Sequence, residues 1–124
     1  VNVKALREGG VAPGAGIFLT AEYKNSLAGF SALGRQGLAS EKVAEMACEE
    51  LLNFHKIGAP IDVHLGDQLL LPAALASEAS QYRVAQISTH LTTNAWVIQQ
   101  FGLADVTIDE AERIVKIAPK SGKI

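Results

Sequence analysis

Apolar residues recur along this chain at two spacings, and the switches between them mark out its elements. Residues 1–16 carry Gly9, Gly10, Pro13, Gly14 and Gly16 and read as loop. Residues 17–23, bounded by Asn25, and residues 29–33, closed by Gly34 and Gly37, have the composition of short strands. Ser40 then offers a capping hydroxyl, and Glu41 and Glu45 place negative charge near the positive end of a helix dipole. Val43, Ala44, Ala47, Cys48, Leu51, Leu52 and Phe54 follow at helical spacing until Gly58 and Pro60, which predicts a helix over 40–57. A second helix is expected over 65–76, kinked or broken near Pro72, because proline removes a hydrogen bond and crowds the preceding turn. Residues 82–87 read as a strand. Ser88 or Thr89 caps a third helix, with Leu91, Ala95, Ile98 and Phe101 as its apolar stripe and Gly102 at its C-terminal end. Strands at 104–109 and 113–118, joined by an acidic turn at 109–112, complete the order.

That order predicts an α/β (α+β) two-layer fold with helices on one face of a mixed sheet. The helices over 40–57 and 89–101 are expected side by side on that face. The length of 124 residues suits one domain, and 48% hydrophobic with 19% charged residues is a globular balance. No apolar run approaches the ~18 residues of a membrane span; the longest, 69–76, contains Pro72. A net charge of -2 supplies no global basic field for nucleic acid. Cys48 is the one cysteine, so no internal disulfide forms. The chain opens on Val1 without a signal-peptide pattern, and is expected to be a piece of a longer, cytoplasmic protein.

Most standard motifs are absent. There is no Walker-type phosphate loop, and Gly14-Ala15-Gly16 lacks the third glycine of a dinucleotide fingerprint and precedes a strand. Cys48 and His55, seven apart on one helix face, and Asp62 and His64, two apart in a loop, read as a buried thiol and surface imidazoles rather than a metal site. Glu41, Glu45, Glu49 and Glu50 form a solvated face, and Trp96 reads as core or interface.

Two segments carry candidate chemistry. Residues 87–94 lead from a strand end into a helix start, where free N–H groups and the dipole suit a phosphate. His90 sits there, kept neutral by the same dipole and so able to act as a nucleophile. The placement equally suits a histidine that only caps or packs at a helix end. Asp67 and Gln68, just before the apolar run 69–71, suit a ribose, a base or a metal ion, and equally suit helix capping.

Taken together, Asp67-Gln68-Leu69-Leu70-Leu71-Pro72 and Ser88-Thr89-His90-Leu91-Thr92-Thr93-Asn94 resemble the C-terminal part of the RNA 3'-terminal phosphate cyclases. The resemblance extends over residues 13–117, with a spacing between the two stretches one residue longer than in a bacterial member. It implies that residues 25–124 form the last βαβαββ repeat unit of that fold, with the helix around 65–76 added. Residues 1–24 would be the tail of an inserted domain or a linking strand. It also implies a ligase-class, ATP-dependent enzyme that converts an RNA 3'-phosphate to a 2',3'-cyclic phosphate through AMP carried on a histidine. The divalent metal would be Mg or Mn. His90 resembles that histidine. His64, Leu65, Gly66, Asp67 and Gln68 resemble the nucleotide-binding segment, with His64 standing where a bacterial member carries tyrosine. No residue is matched to the metal. The implied partners are RNA 3'-phosphate ends and the family's N-terminal units. Their glycine-rich stretch, with its glutamate and arginine, and a mid-chain glutamine are not among these residues. The chain alone is therefore expected to be inactive and prone to self-association. Two other readings share the repeated unit: a non-catalytic cyclase-like RNA-binding or ribosome-assembly scaffold, and an enolpyruvyl transferase-like domain. Neither carries the histidine nucleophile.

Overall fold

The computed structural model describes residues 1–11 and 13–120, so the last four residues of the expected 25–124 unit lie outside it. Strands β1 (Gly16–Glu22) and β2 (Leu27–Leu33) pair as an antiparallel hairpin, from Gly16 opposite Leu33 to Glu22 opposite Leu27. Strand alternation buries Ala28, Phe30 and Ala32 on one face, with Ile17, Leu19 and Ala21 half-buried beside them. Helix α1 (Ser40–Ile57) covers that face with Val43, Ala47 and Phe54. Ser40 is its first helical residue rather than its cap: Ala39 holds the cap position in extended conformation, with no side-chain hydrogen bond. Cys48 is exposed, not buried, because Val43, Ala47 and Phe54 define the buried stripe and Cys48 falls beside it. Gly58, at φ 65°, ends the helix in the left-handed conformation that its sequence position anticipates.

The expected long second helix is two short ones, α2 (Val63–Gln68) and α3 (Leu70–Leu75), meeting at Leu69. Pro72 accounts for the break. A continuous helix would set its ring against the carbonyl of Gln68, whereas in the first turn of α3 its missing N–H leaves nothing unpaired. The run also begins earlier than expected, at Val63, because Asp62 caps it.

Strands β3 (Ser80–Arg83), β4 (Ala104–Asp109) and β5 (Ile114–Pro119) form an antiparallel sheet in the order β3-β5-β4. Helix α4 (Thr89–Gln100) packs on β4, α3 packs on β5, and the two helices touch. Between helices and sheet lies the main core, built on Leu70, Val84, Leu91, Ile98, Val115 and Ile117. The end of α4 is closed as the glycine predicts: Gly102 has φ 67°, with its N–H on the Gln99 carbonyl and the Leu103 N–H on that of Ile98. The acidic turn is also as expected, with Asp109 Oδ1 accepting from the Glu112 N–H at 3.0 Å.

The α+β two-layer class holds. Within it, the strands fall into two sheets, and the neighbour of α4 on its sheet is α3, with α1 lying on the hairpin. One parallel bridge, Ile61 to Val84, ties the segment between α1 and α2 to the end of β3. Pro60 has no N–H to offer a ladder, and Asp62 turns the chain into α2, so the pairing stops at that bridge. Residues 85–87, expected as strand, lie past the end of β3, which starts two residues earlier than expected. Trp96 and Phe101 are 60% and 77% exposed, so neither belongs to the core; the buried stripe of α4 stops at Ile98.

Candidate functional site

The segment 64–68 is positioned by a cap that lies outside it. Asp62, only 6% exposed, accepts hydrogen bonds from the N–H groups of His64 at 2.9 Å and Leu65 at 2.8 Å. This satisfies the start of α2, so Asp67 has no capping duty; it sits near the other end of the helix, half-buried. The sequence pattern alone puts Asp62 in a loop. The available signal was an aspartate placed before the helical run, one turn earlier than the Asp67 signal.

Two further contacts fix α2 against the sheet. The Tyr82 hydroxyl donates to the Gly66 carbonyl at 2.7 Å. Gly66 is buried against Val84, where an added Cβ would lie 2.8 Å from Val84 Cγ1. Burial pushes the Tyr82 phenol up to about 12, and the negative charge of Asp67 pushes in the same direction. Asp67 and Tyr82 therefore feel each other across the α2–β3 contact. Alternation puts Tyr82 on a strand face, but a partner sixteen residues away leaves no local trace.

Two expected results follow. Gly66→Ala should lower stability by about 1 kcal/mol, since overpacking at about 1–3 kcal/mol outweighs a helix-propensity gain of about 1. Urea unfolding checks it, and unchanged stability would mean that Val84 moves aside. The phenolate absorbance of a Tyr23→Phe chain should report Tyr82 ionising near 12. Because the folded state holds the phenol neutral, the associated stability is complete below the ordinary value of about 10 and is lost as pH rises through 12. A midpoint at the ordinary value would contradict the burial and the Asp67 contact.

His90 is the second residue of α4 and is exposed. Ser88 caps that helix by accepting from the Leu91 N–H at 3.1 Å, and the Thr92 N–H reaches the Ser88 carbonyl at 3.1 Å. The N–H groups of Thr89 and His90 are thus left without a partner among the described residues, at the positive end of a 12-residue helix. Helix α2 touches α4, so the segments bearing Asp67 and His90 belong to neighbouring elements. His64 lies toward the hairpin instead, lining a cavity of about 220 Å³ with Phe30, Phe54, Asp62 and Gln86. Leu65 is half-buried and Gln68 exposed. A larger cleft of about 570 Å³, between the start of the hairpin and the start of α1, contains none of these candidates. Among the described residues, no group of three or more His, Cys, Asp or Glu side chains converges as a metal site would require.

The structure thus sets His90 at the start of α4, next to the short helix that bears Asp67. The model of the RNA 3'-terminal phosphate cyclase family matches residues 1–108, and the chain belongs to that family. Proteins named RNA 3'-terminal phosphate cyclase are similar to it along most of its length. One from Trichormus variabilis is 70% identical over 95% of this chain, which covers 34% of that protein. One from Methylococcus capsulatus is 58% identical over 80% of the chain, covering 27% of that protein. One from Methanosarcina acetivorans is 41% identical over 85% of the chain, covering 28% of that protein. The chain spans about a third of the length of the curated relatives it matches.

Proposed function

We propose that this chain is the nucleophile-bearing part of an ATP-dependent RNA 3'-phosphate cyclase, with residues 25–124 as its last repeat unit and residues 1–24 as the tail of an inserted domain. The observation that carries the reading is the exposed His90 on the first turn of α4, beside two unpartnered N–H groups. Family membership supplies the reaction class.

The lone pair of a His90 ring nitrogen attacks the α-phosphorus of ATP; a phosphorus–nitrogen bond forms and pyrophosphate leaves with the electrons of the broken P–O bond. The N–H groups of Thr89 and His90, with the helix dipole, stabilise negative charge developing on the phosphoryl oxygens. An oxygen of the RNA 3'-phosphate then displaces the imidazole, taking AMP. The neighbouring 2'-hydroxyl attacks the RNA phosphorus, loses its proton, and expels AMP as the ring closes. Asp67, with Gln68, holds the ribose or base, and His64 offers a ring to the adenine. A divalent ion, Mg or Mn, accompanies the ATP phosphates; the described residues offer it no converging ligand set, so every step is assigned to the chain's own groups.

The test is transfer of label from α-labelled ATP to the full-length protein that includes the family's N-terminal units. Label bound through an acid-labile, base-stable bond is expected, as for a phosphoramidate; label that ATP leaves only non-covalently bound would defeat the reading. The setting remains proposed as cytoplasmic, and among the described residues no helix is long and apolar enough to cross a membrane.

A further inference from the structure

The end of α1 and the turn of the hairpin enclose a second cleft, of about 340 Å³, on which the proposed chemistry makes no demand. Its lining includes Tyr23, Ser26, Phe54, His55, Pro60 and Arg83. Two of these present flat rings. Tyr23 and His55 stack with centroids 5.9 Å apart and planes 18° apart, and the Tyr23 hydroxyl lies 3.3 Å from His55 Nδ1. Phe54 supports Tyr23 edge-on from the core side, at 5.9 Å and 65°. The aromatic surface is therefore held in place before anything binds.

A fixed cation stands beside it. One guanidinium nitrogen of Arg83 donates to the Gly58 carbonyl at 2.9 Å, which anchors the side chain and leaves its other donors open. No carboxylate lines the cleft. The ion pairs among the described residues are Lys42–Glu45 and Lys120–Asp105, so Arg83, and the lysines Lys24 and Lys56 that adjoin Tyr23 and His55 in sequence, keep unpaired charge. Glu22 belongs to the outer face of the hairpin, away from α1. In a chain of net charge -2, this corner is locally basic.

Flat rings with an anchored guanidinium and free lysines are what a single-stranded nucleic acid needs: a face for the base and cations for the backbone. The volume lies within the range of ligand pockets and admits one nucleotide. We infer that the Tyr23–His55–Arg83 cleft binds one nucleotide of single-stranded RNA, the base stacking on the Tyr23–His55 surface and a phosphate meeting Arg83. The choice of RNA rests on the proposed function; the stacking-plus-cation geometry does not.

A short fluorescein-labelled single-stranded oligoribonucleotide ending in a 3'-hydroxyl, titrated into the whole chain, tests this without engaging the adenylation step. Tyr23→Ala and Arg83→Gln should each weaken binding about fivefold or more. Tyr23→Phe, which keeps the ring, should bind within about twofold of the unmodified chain, as should Lys42→Gln, which removes a charge elsewhere. Thermal unfolding of each variant separates lost binding from lost fold, and Tyr23→Phe keeps the test valid if Tyr23→Ala unfolds. The inference is overturned if the unmodified chain binds no RNA, if an abasic oligomer of equal length binds as tightly, or if the folded variants bind unchanged. Its failure and that of the proposed function are distinct: the first leaves labelling by α-labelled ATP intact, and the second leaves the oligoribonucleotide bound.

Discussion

In the full-length protein, His90→Ala is expected to abolish covalent labelling by α-labelled ATP while leaving the fold as it is. Alanine offers no nucleophilic nitrogen, so the step is removed rather than slowed. The fold is spared because the His90 side chain is exposed, and the cap of α4 runs from Ser88 to Leu91 without it. Asp67→Ala, by contrast, should lower the rate of labelling without moving the label, since the carboxylate is assigned to holding the nucleotide. Mass spectrometry of the labelled peptide checks both. AMP still attached to His90→Ala would remove the nucleophile from this position.

The adjacent residue should give the largest effect on stability. Leu91 is 1% exposed and seats the first turn of α4 in the main core, beside Leu70, Val84, Val115 and Ile117. Truncation to alanine loses the transfer free energy of the side chain and leaves a cavity, about 2–5 kcal/mol in all. That is a large share of the ~5–15 kcal/mol by which a domain of this kind is stable. A fall in the urea midpoint, followed by circular dichroism, measures it; a loss below about 1 kcal/mol would mean that neighbouring side chains close the gap. Leu91→Ala should also depress labelling, but only in step with the unfolded fraction, so cooling restores it. Cooling does nothing for His90→Ala. The pair of variants separates placing the histidine from being the histidine.

Local signals translated well where their partners were local. Ser88 before His90, Gly102 after Gln100 and Asp109 before its turn each act within four residues, and each stands where its chemistry placed it. The break at Leu69 was foreshadowed by Pro72, though the sequence could not say on which side the proline would fall. What stayed hidden is long-range. Whether the strands close into one sheet or two depends on pairing between residues far apart in the chain, which no periodicity encodes. The exposure of Cys48, Trp96 and Phe101 has the same origin, because an apolar residue at a stripe's margin is buried only if another element reaches it. In the candidate site, His90 and Asp67 were visible as residue types in suggestive places. The Asp62 cap that frees Asp67, and the Tyr82 contact that pins Gly66, appear only once the chain is folded.

The two candidate segments ride on very different supports. His90 stands on 12 residues of helix seated by Leu91, Ala95 and Ile98, whereas the 64–68 stretch occupies a helix of six residues that would not persist alone in water. Its shape is borrowed from Asp62, Tyr82 and Val84. Mutational drift should therefore act unequally on the two. Substitutions on the borrowed stretch are screened mainly by three neighbours and can change the surface it presents while the scaffold stays whole. Around the histidine, the same number of changes would strike the main core first and be purged as misfolding before any new chemistry could be tried.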